Sequence, residues 1–393
     1  GQIWQALEQL QTWIFKIFKK LMHISPDAKH LALMWIGECL KANAGRGKLW
    51  TSEMGAIMSA NFVSDGFMLN LSGVLLQFCV PFTTGAKNSK LFKIDARYSA
   101  CAQVEVSEDS RLKNVHLRDA SKETCLVESI DPDERICDVD TFNFITDIFF
   151  ITHKSMDLGL RVCHEKLVKI NQELGRQQEV YREMIQQNVN EAQREAVQKR
   201  TDNLMTRYLS LKAALLLPQS MSNMMKVISS TGFWLTNLAI SYGDKRFLAE
   251  GKSDIFPLIE NKVALELKYV PEHLVENICE YLLLVKRFQP ALFEQHGECL
   301  EMIMDFVLPF MGSPHWLKNP HLRARLAECL ECLLPHHELQ GSSGFSLKFN
   351  RERIFTEYKF RLEIIPCILN VFVNIENTGQ AVEFEMKFNY RRP

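Results

Sequence analysis

Residues 67–82 read FMLNLSGVLLQFCVPF and form the centre of an uncharged run from position 66 to position 86. A helix that spans a membrane needs about 20 predominantly apolar residues. This run is interrupted by polar and helix-breaking residues, namely Asn70, Ser72, Gly73, Gln77 and Pro81. No basic cluster flanks it, and the rest of the chain holds no second candidate. We therefore predict that residues 64–82 form a helix buried inside the protein, and not a membrane span.

Three residues of this run predict how the helix packs. Ser72 and Gly73 have small side chains, so neighbouring helices could approach closely at these positions. Asn70 lies among apolar residues and would need a buried hydrogen-bond partner. The sequence thus places the 64–82 helix between neighbouring helices.

Composition narrows the class of protein. The chain has 393 residues, which is long enough for two or three ordinary domains or for one extended helical assembly. Its 46 basic and 47 acidic residues leave a net charge of −1, so the strongly basic signature of a nucleic-acid-binding protein is missing. Eleven cysteines, an odd number lying mostly in apolar stretches, indicate reduced thiols in the cytoplasm or the nucleus. Residues 1–20 do not resemble a signal peptide, because their basic residues follow the apolar ones.

Helical periodicity dominates the sequence. Residues 271–289 carry an apolar stripe at the spacing of a core-facing helix. Residues 26–44 begin with a proline directly after Ser25, and residues 320–334 begin with a proline directly after Asn319. A capping residue followed by proline is typical of helix N-termini. Further helices are predicted at 2–23, 141–175, 219–242, 291–310 and 361–375. Only 345–349 and 382–388 could form short strands. The pattern predicts an all-α fold of stacked helical pairs without a fixed sequence repeat.

Two segments depart from this pattern. Residues 83–137 are polar, charged and turn-rich, and we expect a long irregular insertion, partly ordered, that leaves the helical body. Residues 176–207 have high helix propensity but a thin apolar stripe, which predicts part of one long, largely solvated helix. Continued from 176 to Leu217, that helix would be roughly 60 Å long. No heptad pattern persists there, so a coiled coil is less favoured.

The sharpest candidate for a metal site is CLECLLPHH at 329–337. Cys329 and Cys332 have the C-x-x-C spacing, and His336 and His337 follow within reach. A zinc site needs four convergent ligands, usually as two separated pairs, and the second pair is missing. Both cysteines fall on the predicted 320–334 helix, where Cys329 shares the apolar face. We therefore predict a structural role, with a zinc or thiol enzyme as a minor alternative.

Other chemical motifs are weaker. Cys163 and His164 are adjacent, but neighbours on a helix point about 100° apart and do not face each other. The sequence has no G-x-S-x-G elbow, no H-E-x-x-H pair and no Walker loop, and GRGK at 45–48 fits a helix-ending turn. The acidic residues 131–134 lack calcium-loop spacing, and the two arginines at 391–392 are too few for a nucleic-acid patch. No catalytic, cofactor-binding or metal-binding residue is predicted. The aromatic residues of the first two helices are predicted to lie in the core: Trp13, Phe15, Phe18 and Trp35.

Five stretches of the sequence together indicate a family. They are, in chain order, SDGFMLNLSGVLLQFCVPF (64–82), FKIDARY (92–98), FFITHKSMDLGL (149–160), FMGSPHWLKNPHLRARLAECL (310–330) and FNYRR (388–392). Their sequence and order resemble the core of the U-box ubiquitin-chain elongation factors, the ubiquitin fusion degradation class of ligases. Within that family they are most similar to the animal A-type members. The resemblance covers most of the chain except 99–137 and 336–348.

This resemblance implies an elongated armadillo/HEAT-like helical body that carries a U-box near its far C-terminus. In the family, the U-box recruits a ubiquitin-conjugating enzyme, and the body brings together ubiquitinated substrates and partners such as segregase or proteasome-shuttle proteins. No zinc, other cofactor or covalent cysteine intermediate is implied. Nothing in this chain matches a U-box, and the chain begins without methionine. We therefore expect a segment of a longer protein that is inactive alone.

The expected organisation has three parts. Residues 1–82 form the N-terminal helical part of the core, 83–137 the irregular insertion, and 138–393 a helical core that includes the long solvated helix. The expected function is a scaffold of a ubiquitin ligase that elongates chains on already ubiquitinated substrates for proteasomal degradation. The alternative is a helical-repeat adaptor or transport protein without ligase activity, because composition and periodicity fit both classes. Neither interpretation involves nucleic acid or a membrane span.

Overall fold

The regular structure of the protein is helical. The computed structural model describes residues 1–47, 61–85, 88–100, 115–117, 123–127, 141–187, 190–241, 255–256, 265–335 and 349–376. Their α-helices are α1 (Gln2–Ile24), α2 (Pro26–Ala42), α3 (Asp65–Thr83), α4 (Phe144–Met156), α5 (Val162–Gln186), α6 (Glu191–Leu215), α7 (Pro218–Ser241), α8 (His273–Phe288), α9 (Ala291–Gln295), α10 (Gly297–Gly312), α11 (Pro320–Cys332), α12 (Phe349–Glu357) and α13 (Ile364–Glu376). In this described part of the chain, the only β pairing is an isolated bridge between Cys125 and Pro271. The predicted all-α fold of stacked helices is confirmed.

Capping residues place the starts of two predicted helices. α2 begins after Ser25, whose hydroxyl accepts a hydrogen bond from the Ala28 amide at 3.0 Å. α11 begins after Asn319, whose side chain accepts from the His321 amide at 3.0 Å. Each cap satisfies a backbone N–H group that has no partner within its own helix. The local sequence therefore decides where these helices start.

The helix predictions outside 176–207 are confirmed with small changes. The predicted helix at 291–310 is divided into α9 and α10 at His296. α12 was not predicted, and its first residue, Phe349, is the one described residue of the predicted strand at 345–349. The other predicted strand, at 382–388, lies outside the described residues.

α3 is the helix predicted from the opening stretch. Ser64 caps its N-terminus by accepting a hydrogen bond from the Phe67 amide at 3.2 Å. By length and a mean hydropathy of 1.4, α3 could cross a membrane, and no other helix in the described residues could do so. However, 61 % of that apolar window is buried inside the protein. α3 packs against α1, α4 and α7, which explains why the run carries no charge.

The absence of a side chain at Gly73 lets α3 approach α1 closely, as predicted. A Cβ atom at this position would lie 2.5 Å from the amide nitrogen of the buried Gln11 side chain. That nitrogen donates to Oδ1 of Asn70 at 3.1 Å, and the amide oxygen accepts from the Ser220 hydroxyl of α7 at 3.1 Å. Gln11 thus links α1, α3 and α7 and supplies the partner that Asn70 was expected to need.

α4 and α5 form one continuous helix through a π-helical turn at Asp157–Arg161. A Cβ atom on Gly159, in this turn, would lie 3.1 Å from the hydroxyl of Ser72 in α3. The same hydroxyl donates to the carbonyl oxygen of Ser155 at 2.9 Å. The predicted helix at 141–175 is therefore present, with a local π-bulge where it meets α3.

The single long helix predicted through 176–207 is wrong. α5 and α6 are separate helices, and Asn190 caps α6 by accepting a hydrogen bond from the Ala192 amide at 3.2 Å. The two helices pack against each other as a hairpin, with the Arg200 guanidinium 3.3 Å from the Glu173 carboxylate. Among the described residues of 176–207 none is buried, and Val180 and Ile185 are 41 % and 49 % exposed, so the segment is largely solvated as predicted although it forms two helices.

The described parts of the 83–137 insertion pack on the helical body. Tyr98 and Leu126 are fully buried in the main core. The Leu126 amide donates to the carbonyl oxygen of Val270 at 2.9 Å, and the Lys318 amide donates to that of Leu126 at 2.9 Å. The expectation that this insertion leaves the body is therefore wrong at these positions. Its remaining residues lie outside the described part of the chain, and the predicted domain boundaries stay predictions.

Candidate functional site

The predicted C-x-x-C pair lies inside α11 and faces the core. Cys329 and Cys332 are fully buried, and burial raises the pKa of the Cys332 thiol to about 12. Burial, followed by the neighbouring Cys279 thiol, raises the pKa of Cys329 well above its usual value. His336 and His337 lie outside the described residues. Across the described ranges, no group of three or more His, Cys, Asp or Glu side chains is placed to hold a metal ion.

Cys163 and His164 contact different neighbours and do not form a reactive pair. Burial raises the pKa of the Cys163 thiol to about 12, so little thiolate forms near neutral pH. Nδ1 of His164 lies 2.9 Å from a carboxylate oxygen of Glu280, whose other oxygen accepts from the Arg325 guanidinium. Burial by itself would raise the pKa of Glu280, but His164 and Arg325 hold it below its usual range. The Glu280 carboxylate therefore links α5, α8 and α11 through His164 and Arg325.

The GRGK turn at 45–48 holds the start of α3. Arg46 lies in the 3₁₀ turn Ala44–Gly47, and its guanidinium is 2.6 Å from the Asp65 carboxylate. Nζ of Lys166, in α5, approaches the same carboxylate at 2.8 Å. Burial would raise the pKa of Asp65, but Lys166 and Arg46 lower it. The turn therefore has a structural role, and its last residue lies outside the described part of the chain.

A buried charge cluster surrounds the π-helical turn. Nζ of Lys154 lies 2.6 Å from the Glu123 carboxylate and 3.1 Å from that of Asp157. Nε of Arg161 lies 2.7 Å from the Asp157 carboxylate. Neither ring nitrogen of the nearby His273 has a hydrogen-bond partner, and burial lowers the pKa of His273 to about 3. The charges are paired with one another and the imidazole stays neutral, as in a structural network.

Two apolar surfaces remain uncovered on the described residues. The first, which we call the N-terminal stripe, consists of exposed α1 side chains: Ile3, Leu10, Trp13, Ile17, Leu21 and Ile24. The second, the C-terminal face, lies on and just before α13: Leu362, Ile365, Ile368, Leu369, Phe372 and Val373. Contiguous exposed apolar surface of this kind marks an interaction site.

Sequence reasoning missed the N-terminal stripe. Trp13 and Trp35 were predicted to be core residues, yet they are 58 % and 50 % exposed, so that prediction is wrong for both. Phe15 and Phe18 pack against the core, but they are only partly buried. The available signal was the recurrence of apolar residues at 3, 10, 17 and 24, a seven-residue spacing that a globular core does not require.

An open groove of about 610 Å³ lies between α1, the start of α7 and α9. Its lining is rich in amide side chains, and the lining residues are Glu8, Pro218, Gln219, Ser222, Gln289, Ala291, Leu292 and Gln295. The backbone N–H of Gln219 donates to the Glu8 carboxylate at 3.1 Å, which closes one side. The groove offers hydrogen-bonding groups to a ligand, but no charged cluster that would suit catalysis.

Known proteins are similar to this chain over its whole length. A family model described as the ubiquitin elongating factor core matches residues 1–393. Ubiquitin conjugation factor E4 A of Pongo abelii is 36 % identical over 397 residues, covering 100 % of this chain and 36 % of the relative. The probable ubiquitin conjugation factor E4 of Arabidopsis thaliana is 24 % identical, covering 93 % of this chain and 36 % of the relative. The E4 ubiquitin-protein ligase UFD2 of Saccharomyces cerevisiae is 24 % identical, covering 84 % and 35 % respectively.

Proposed function

Because the chain belongs to the ubiquitin elongating factor core family, we propose that it is a helical scaffold of a ubiquitin-protein ligase. The intact ligase would lengthen ubiquitin chains on substrates that already bear ubiquitin, and these substrates would pass to the proteasome. The match of the whole chain to the family carries this proposal. The chain spans 36 % of the length of the first relatives, so the activity of a whole protein is part of the proposal.

A scaffold of this kind would act by holding the reactants together. It raises their effective concentration and fixes their orientation, without using its own side chains in the transfer. Stiffness favours this role, because a flexible connector would dilute the reactants. The helices share one apolar core that runs from Met22 in α1 to Val371 in α13. Buried hydrogen bonds add links between helices, as where the Tyr281 hydroxyl donates to the carbonyl oxygen of Met221 at 2.7 Å.

The proposed partners follow from this role. A ubiquitin-conjugating enzyme would bind through a U-box in another part of the intact protein, and ubiquitinated proteins would be the substrates. Segregase or proteasome-shuttle proteins would be further partners. We place the protein in the cytoplasm or the nucleus, and the nine described cysteines, all free, are consistent with a reducing compartment.

The C-terminal face supports a continuing helical stack. Cys367 and Val371 bury one side of α13 against its neighbours, while the other side exposes large apolar residues. No charged residue occurs between Glu363 and Glu376. A helix that is apolar on nearly all sides is normally buried. Further helices of the intact protein would therefore cover this face and extend the scaffold.

A chain-elongation assay tests the proposal. The reaction contains a substrate carrying one ubiquitin, a panel of conjugating enzymes, and either this chain or the longest natural form of the protein. We expect longer chains only with a form that carries a U-box. The isolated U-box is the matched control, and it should lose the preference for substrates that already bear ubiquitin.

Two results would contradict the proposal. Absence of elongation with either protein, each verified as folded, would favour the helical-repeat adaptor instead. Elongation by this chain alone would mean that one of its thiols acts in transfer, although eight of the nine described thiols are buried.

A further inference from the structure

His116 anchors a short piece of the 83–137 insertion on the helical body. Residues 115–117 form this piece, in which His116 and Leu117 are buried. The backbone of the piece lies so close to α2 that a Cβ atom on Gly37 would overlap the carbonyl oxygen of His116. The piece is therefore seated directly on α2, at a position where only glycine leaves room for it.

The His116 ring lies between a carboxylate and a second imidazole. Its Nδ1 is 2.8 Å from Oδ1 of Asp147 in α4, and its Nε2 is 2.8 Å from Nδ1 of His30 in α2. Because a carboxylate only accepts hydrogen bonds, Nδ1 of His116 carries a proton. The two facing ring nitrogens hold one further proton between them, since one ring must donate and the other must accept. The pair can therefore take one positive charge, but a second would set two N–H groups against each other.

Two further titratable groups lie around this pair. Burial, followed by the Asp147 carboxylate, raises the pKa of Tyr98 well above its usual value, so this hydroxyl keeps its proton. Tyr98 belongs to the 3₁₀ turn Ala96–Ala100 and bonds to Asp147 from the side opposite the imidazoles' shared proton. Asp27 lies one turn before His30 on α2, but it is exposed, so water screens its charge. Asp147 therefore favours one imidazolium, and a second would face the first across 2.8 Å.

We propose that His30 and His116 form an acid-sensitive latch that holds the insertion on α2. Near neutral pH, the hydrogen bond between the two rings keeps residues 115–117 in place. Free imidazoles take up protons below about pH 6.5, and here the second proton enters only when the rings separate. The open form therefore binds one more proton than the closed form, so acid favours opening. Because residues 115–117 form a short segment, it opens without unfolding the helices, and the surface of α2 around Gly37 becomes accessible. The latch adds a pH response to the scaffold.

Hydrogen exchange measured by mass spectrometry, with fragmentation to single residues, tests the latch. The Leu117 amide is the reporter, because it donates to the Tyr98 hydroxyl at 3.2 Å when the latch is closed. Protection is the measured rate divided into the rate of an unprotected amide at the same pH. At Leu117 it should fall up to about tenfold for each pH unit below about 6.5, because opening takes up one proton. Amides in the buried centre of α8 report global unfolding, and they should exchange more slowly than Leu117 at each pH.

Variants assign the pH response to the two rings. His30→Asn keeps a bond to His116 in either protonation state, because an amide side chain can donate or accept. This variant should retain protection at Leu117 and lose its pH dependence. His116→Ala removes both ring contacts and should lower the protection near neutral pH to the level that the unmodified protein has in acid. His23→Asn, the same change at an exposed histidine of α1, is the matched control and should behave like the unmodified protein. Circular dichroism verifies that each variant is folded.

Two results would overturn the proposal. The first is equal protection of the Leu117 amide in the unmodified protein at about pH 7.5 and about pH 5.5, on either side of the imidazole range. The second is a pH dependence at Leu117 that persists unchanged in His30→Asn, because the response would then come from another group.

Discussion

Gly73→Ala should destabilise the protein even though alanine is the better helix former. In an open helix interior, replacing glycine by alanine stabilises by about 0.5–1 kcal/mol. At Gly73, however, the new methyl group would overlap the Gln11 amide. That amide would have to move, and its hydrogen bonds to Asn70 and Ser220 would break.

The magnitude follows from these contacts. Two hydrogen bonds contribute about 1 kcal/mol each, and burial of the amide without a partner costs about 1 kcal/mol more. After subtraction of the helix-propensity gain, the free energy of unfolding should fall by about 2 kcal/mol. Gly175→Ala in α5 is the matched control, because nothing lies within 4 Å of the new methyl group. That variant should be stabilised slightly.

Chemical denaturation followed by circular dichroism measures both variants. The double variant Gln11→Ala/Gly73→Ala adds a second test, because removing the amide also removes the overlap. Alanine at position 73 should then be neutral or stabilising in the Gln11→Ala background. If Gly73→Ala shifts the denaturation midpoint in the same direction as Gly175→Ala, the close packing of α1 on α3 at this point is refuted.

Three further outcomes are expected. Leu75→Asp should abolish cooperative unfolding, because Leu75 is fully buried and an unpaired charge there costs several kcal/mol; an unchanged melting temperature would contradict its burial. Stability should fall as the pH drops from about 6.5 toward 3, because burial lowers the pKa of His273 to about 3 while the unfolded chain takes up protons below about 6.5. His273→Leu should flatten this pH dependence of the free energy of unfolding in denaturation curves recorded across that pH range. If the dependence is the same in the variant, it does not come from His273. The zinc content of the purified protein should be at background by elemental mass spectrometry both before and after the substitution Cys329→Ala. If the unmodified protein carried one zinc ion per chain and this variant lost it, the metal site would be supported.

Local sequence signals were sufficient for much of the fold. The caps at Ser25 and Asn319 act within a few residues, so they place helix starts without any tertiary information. The uncharged run of α3 required burial whatever its neighbours were, and the need of Asn70 for a partner was equally local. The same reasoning assigned Cys329 to a helix face in the core.

The predictions that depended on contacts with distant parts of the chain were wrong. The thin apolar stripe of 176–207 fits one solvated helix or two solvated helices packed as a hairpin, and only the α5–α6 contact distinguishes them. The polar 83–137 segment buries Leu126, whose backbone groups bond to Val270 and Lys318, and Tyr98, whose hydroxyl accepts from the Leu117 amide at 3.2 Å. No local pattern predicts such partners.

The amino-acid sequence by itself determined the helical class, the helix starts and the burial of α3, and its resemblance to a family was confirmed by comparison. Only the tertiary structure decided which apolar faces are covered, and so distinguished the core side of α1 from the stripe that carries Trp13. The physical reason is that helical periodicity reports an apolar face, whereas exposure depends on what the rest of the chain places against that face.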